Sequence, residues 1–159
     1  MSDRERLEAA LAGHDAFDRD GEAFLVRTTA VEGRVHVEER SVGLVLAVTA
    51  TVPTIDAVVA DETVAPVVQE GWLETFERRL EDVGGVTRGE PAPPTATLEG
   101  SDVVVETTLD GDRPSRAVTD AKAIVEYVEG TFVEGLIPGY SYREPASRLL
   151  DRARSTGER

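Results

Sequence analysis

The chain has 159 residues, 40% of them apolar, with 31 acidic and 17 basic side chains, a net charge of −14 and no cysteine. That length suits one domain able to bury about two thirds of the surface its unfolded form exposes. The missing cysteines exclude disulfides, zinc ribbons and thiol catalysis, and the charge leaves no basic face with aromatics for a nucleic acid.

Arginine supplies every positive side chain except Lys122. Short carboxylates and arginine, with few lysine methylenes turned to water, suit a salt-rich cytoplasm, where screening over about 3 Å at 1 M quiets self-repulsion. The competing reading is an acidic binder of a basic partner; it is disfavoured because the carboxylates are spread along the chain instead of forming a block. The opening MSDRERLEAALAG lacks the apolar region of a signal peptide, and no run of 18 apolar residues is present. A cytoplasmic protein without membrane contact is expected.

Leu7, Ala10 and Leu11 recur at helical spacing after Ser2, which predicts a helix over 3–13 ended by Gly13. HDAFDRDGE, residues 14–22, gathers Asp15, Asp18 and Asp20 as a calcium loop does. Ala16 and Arg27, however, hold the first and twelfth ligand positions of that register, so a solvated turn is expected. Period-two alternation at Phe24 and Val26 resumes at Val35 and Val37, with Glu32-Gly33 read as the turn between. Residues 42–52, VGLVLAVTATV, are apolar at both parities and predict a central strand needing cover on both faces, stopped by Pro53.

Val68, Trp72, Phe76, Leu80 and Val83 form a helical stripe, predicting a helix over 66–83 closed by Gly84-Gly85. GEPAPP, residues 89–94, is a stiff connector, and TATLE and DVVVETTL flank Gly100-Ser101 as a hairpin. Thr119-Asp120 reads as the cap of a helix over 119–134, whose buried stripe is Ala121, Ile124, Val125 and Val128 and which Gly130 weakens. FVEGLIPGYSY, residues 132–142, then kinks at Gly135, Pro138 and Gly139, before a short helix from Pro145 carrying Leu149 and Leu150.

The fold class read from this order is α+β: a single curved antiparallel sheet of about five strands with helices on one face, α-β-β-β-α-β-β-α. Residues 1–150 form one domain and 151–159 a frayed charged tail. No internal repeat is present.

Enzyme signatures fail for physical reasons. GYSYR, residues 139–143, has Arg143 where a nucleophile elbow needs its second glycine, and no phosphate-cradling loop precedes the one lysine. No cofactor or metal is expected. The enzymatic alternative is a small hydrolase or isomerase using Asp15 or Glu106 with His14, whereas His36 reads as an exposed sheet residue. Tyr127, Phe132, Tyr140 and Tyr142 place half of the eight aromatics within sixteen positions. Tyrosine favours interfaces because it buries a ring while keeping a polar tip. Tyr140 and Tyr142, two apart in an extended strip, point the same way, while Leu136 and Ile137 plug the sheet. The preferred expectation is a non-enzymatic, chaperone- or adaptor-like module, a homodimer, holding a protein or peptide partner on these four aromatics.

The element order resembles the small α+β fold of class I type III secretion chaperones and their bacterial relatives. GHDAF at 13–17, GWLETFERRL at 71–80 and GTFVEGLIPGYSY at 130–142, with the arginine-rich acidic composition, look like an uncharacterised haloarchaeal family of unknown function. That resemblance spans nearly the whole chain and brings no catalytic residues.

Thermal melts in KCl from about 0.1 to 3 M, which shortens the Debye length from roughly 10 to under 3 Å, are expected to move steeply upward. A flat response removes the halophilic reading.

Overall fold

A computed structural model describes residues 1–157; Glu158 and Arg159, at the end of the expected tail, lie outside the described residues. Helix α1 (Asp3–Ala12) opens on a capping box in which Ser2 Oγ accepts from Glu5 N (3.1 Å) and Glu5 Oε1 from Ser2 N (3.3 Å). Strands β1 (Phe17–Asp20), β2 (Ala23–Val26), β3 (Glu32–Arg40) and β4 (Gly43–Pro53) follow as a meander. Next come the one-turn helix α2 (Ile55–Val58), α3 (Pro66–Leu80) and a 3₁₀ turn over Glu81–Val86. Strands β5 (Thr95–Glu99) and β6 (Asp102–Asp110) precede α4 (Pro114–Glu134) and α5 (Ala146–Gly157). The sheet is antiparallel throughout, in the order β1-β2-β3-β4-β6-β5.

Period-two alternation gives the sheet one apolar face. Phe24, Val35, Leu46, Val48, Val103 and Val105 point to the helices and are buried. Against them lies the stripe of α4, Ala117, Ala121, Ile124, Val125, Val128 and Phe132, which is likewise buried. Each fully buried Val, Ile or Phe contributes about 1.5–3 kcal/mol, so this contact dominates the core. Three carboxylates then fasten loops to helices. Asp120 of α4, only 2% exposed, accepts from Arg88 N and Gly89 N (both 2.9 Å). Glu129 of α4 accepts from Ala30 N (2.6 Å) and Val31 N (3.1 Å), and Asp56 of α2 from Val64 N (2.8 Å).

Several expectations are corrected. The sheet has six strands because Asp18, Arg19 and Asp20, read as a solvated turn, pair with β2 around Gly21. A charged edge strand with one buried residue, Phe17, leaves no alternating apolar signal. Glu32-Gly33 is not a turn: both residues begin β3, and Gly33 sits where α4 crosses the sheet, so close that a Cβ would lie 2.4 Å from Val125 Cγ1. β4 is covered on both faces over 45–48, as expected, but only one cover is a helix layer. On the other face, Val45 and Ala47 lie between Glu38 and Asp110 and between His36 and Thr108 of the neighbouring strands. The connector residues Glu90, Pro91, Ala92 and Pro93 also lie beside Val45. Helix α4 starts at Pro114, so Thr119-Asp120 is not its cap; Thr119 Oγ1 donates to Ser115 O inside the helix. Gly130 lies inside the continuous α4, and α5 runs Ala146–Gly157. Among the described residues, no helix is long and apolar enough to cross a membrane.

Gly33→Ala is expected to cost about 1–3 kcal/mol through overpacking against Val125. In a urea-unfolding cycle, adding Val125→Ala should recover part of that loss as a favourable coupling. Strictly additive costs would mean that α4 slides away freely.

Candidate functional site

The four aromatics expected to form a contact patch have different duties. Phe132 is fully buried and offers no surface, which corrects its assignment to a partner. Tyr127 is half-buried, and its hydroxyl donates to Arg79 O (2.7 Å), fastening α4 to the end of α3. Tyr140 and Tyr142 are both half-buried against the core, their rings edge to face at 6.4 Å. Their strip docks inward on the exit of α2: Ala60 N donates to Ser141 O (2.8 Å) and Arg143 N to Val58 O (2.7 Å). The Tyr142 hydroxyl accepts from Ile137 N and donates to Ile137 O, each at 2.7 Å, closing the loop that Gly139 turns at φ +99°. Leu136 and Ile137 pack on the core from within that loop. Burial pushes the Tyr142 phenol above its ordinary value of 10.0, opposed by the Ile137 bond, and burial does the same to Tyr127.

The groups of the enzymatic alternative are not brought together. His14 Nδ1 accepts from Ala16 N (3.1 Å), with its ring edge-on to Phe17. Glu106 stands on β6, four strands from β1, or about 19 Å at the usual spacing. On the uncovered face, half-buried His36 and Glu38, Arg40, Thr49 and Glu106 line a depression of about 290 Å³, where Glu38 is bound to Arg40 (2.9 Å). Asp18 and Asp20 pair with Arg27 (3.8 Å) and Arg34 (2.9 Å). Among the described residues no group of three His, Asp or Glu is arranged to hold a metal.

A concavity with a mostly apolar lining lies elsewhere, between the start of α3, the loop before it and β5. It holds about 420 Å³ and is lined by Thr54, Asp56, Thr63, Val64, Pro66, Gln69, Glu70, Trp72, Leu73 and Leu98. Local chemistry makes it rigid. Thr54 Oγ1 caps α2 by accepting from Ala57 N (3.2 Å), and Thr54 N donates to Ser101 O (2.9 Å), tying this corner to the β5–β6 turn. Gln69 Oε1 accepts from Asp56 N (2.9 Å). Trp72 stacks on Phe76 at 5.5 Å, and its buried Nε1 faces Gly135 with no hydrogen-bond partner among the described residues. Leu98, in the lining, is 53% exposed.

β5 is also an edge strand. Its Gly100-Ser101 turn makes Glu99–Asp102 the hydrogen-bonded closing pair, so bonding alternates through Thr97–Val104 and Thr95–Glu106. Thr108 O, the next even position of β6, also bonds on this side, accepting from Ala92 N (3.0 Å) with the register slipped by one residue at Pro93, which has no N–H. The N–H and C=O of Ala96 and Leu98 therefore point away from β6, toward the open edge. Charge blunts the opposite edge, where three of the four residues of β1 are Asp18, Arg19 and Asp20. Prolines 91, 93 and 94 blunt the approach to β5, but TATLE itself has no proline or lysine. The hairpin is readable from the sequence. That no helix covers Leu98 is not, because its parity matches that of the buried Val103.

The model of the family of unknown function DUF5813 matches residues 12–152. The chain belongs to that family. All six strands and the whole cleft lie within the matched residues of this DUF5813 protein. No curated protein and no solved structure matches the chain.

The raised phenols set an alkaline limit. A group held above its unfolded value contributes fully below pH about 10 and loses that contribution as pH rises through its folded value. Tyrosinate absorbance at 295 nm should appear later in the folded than in the urea-unfolded protein, with stability falling above pH about 10. Tyr142→Phe should cost about 1–2 kcal/mol at pH 7, read by urea denaturation, and reduce the alkaline loss. An unchanged midpoint would free the hydroxyl from the loop.

Proposed function

We propose that this protein is a non-enzymatic binding module that adds an extended segment of a partner protein to the edge of β5 and seats an apolar side chain in the adjoining cleft. The observation that carries this reading is Leu98: half-exposed, on an unblunted edge strand, at the mouth of an apolar cleft walled by Trp72 and Leu73. Backbone groups of Ala96 and Leu98 supply the affinity common to strand addition, and the cleft supplies selection among side chains at alternate positions. A ladder of about four bonds beside a small cleft is a modest interface, which suits transient, micromolar binding. The arginine-rich acidic surface supports work in a salt-rich cytoplasm. Tyr140 and Tyr142 act behind this site, holding the exit of α2 in place.

Trp72 is the only tryptophan, so its fluorescence reports on the cleft directly. Titration with a seven-residue peptide alternating threonine and valine should shift its emission saturably. Leu98→Lys should abolish the shift while leaving the melting temperature within about 2 °C, since the residue is exposed. No emission change at millimolar peptide, or equal binding by the variant, refutes the proposal. A dimer in sedimentation that Leu98→Lys dissociates would make a second copy the occupant.

A further inference from the structure

We infer that the segment accepted at β5 is basic at its ends: an extended peptide with aliphatic side chains at alternate positions and arginine or lysine flanking them. Resting on strand addition at β5, this identifies the partner's chemistry from charge. Both ionisable residues lining the cleft, Asp56 and Glu70, are acidic, and no arginine or lysine lines it. Nearby are Glu99, next to Leu98 on β5 but on the opposite face, and Glu74, one turn beyond Glu70 on α3, both exposed. Asp61, at φ +65°, and Glu62 lie in the loop leading to Thr63 and are also exposed.

One oxygen of Asp56 accepts from Val64 N, but none of these carboxylates is ion-paired among the described residues. Elsewhere some charges are paired, as in Arg34–Asp20, Arg40–Glu38 and Lys122–Glu126, each at 2.9 Å, while others such as Glu77 and Asp112 have no ion pair among the described residues. What sets the cleft apart is that its lining holds acidic groups and no cation. The mouth therefore carries a negative field without internal compensation, beside backbone groups that recognise any strand. A basic-ended segment supplies that compensation through charge-assisted hydrogen bonds, and its aliphatic stems cover the exposed Leu98. An acidic-ended segment meets like charge. A second copy of this chain would bring its own Glu70 and Glu99 to the same acidic edge, which disfavours self-pairing.

Three seven-residue peptides test this, each alternating threonine and valine internally and ending in arginine, serine or glutamate. They are titrated into the full chain and followed by Trp72 emission. The arginine-ended peptide should bind about tenfold more tightly than the glutamate-ended one at 0.1 M KCl, as several exposed ion pairs allow, and the ratio should shrink as salt is raised. Glu70→Gln combined with Glu99→Gln should narrow the ratio. Equal binding of all three peptides would overturn the charge assignment while leaving strand addition standing. If none binds, strand addition at β5 itself fails. A glutamate-ended peptide that binds best would reverse the assigned partner chemistry.

Discussion

The architecture depends on the seating of helix α4 on the sheet at Gly33. Two backbones approach there as closely as the absence of a Cβ permits, and Val125 fills the space. The same helix face carries Ile124, Val128 and Phe132 into the core, while its flanks meet α1, α3 and α5. Helix α4 lies over β4 and β6, and α3, packed against α4, leaves Leu98 near the end of β5 uncovered. The cleft is what remains between α3 and β5.

Carboxylates serve this protein in two ways. Asp120, Glu129 and Asp56 face inward and accept backbone N–H bonds from loops, standing in for secondary structure where the connectors have none. Such pairing removes the penalty that orphaned buried amides would carry. Most others face water, where arginines take up several of them and the mouth of the cleft takes up none. Net charge is therefore an incomplete description of this surface; what matters for recognition is where the charge lacks a partner.

The two sheet edges differ in the same spirit. β1 carries charge on three of its four residues, whereas β5 is mostly uncharged and flanked by prolines on one side only. Edge protection is common because an open ladder pairs with any available strand. An edge left open beside an apolar cleft supports a binding role, and the tyrosine loop serves it indirectly by bracing residues 58–60 behind Asp56 and Thr54.

Much of this fold was legible in the chain because periodicity reports burial of one face. The stripes of α3 and α4, the alternation of β3 and β6 and the hairpin at Gly100-Ser101 all follow from local pattern. Local pattern failed where a residue's role depends on a distant neighbour. Gly33 reads as a turn unless Val125 is known to lie over it, and Asp120 reads as a cap unless the amides of Arg88 and Gly89 are known to face it. Tyr140 and Tyr142 read as an outward patch because a strip with aromatics at every second position carries no sign of which face is inward. Composition and period by themselves determined the fold class, the acidic surface and most of the core. The tertiary structure alone decided which apolar residues stay uncovered, because exposure of Leu98 depends on where α3 ends up against the sheet, a distance between elements that no local repeat encodes.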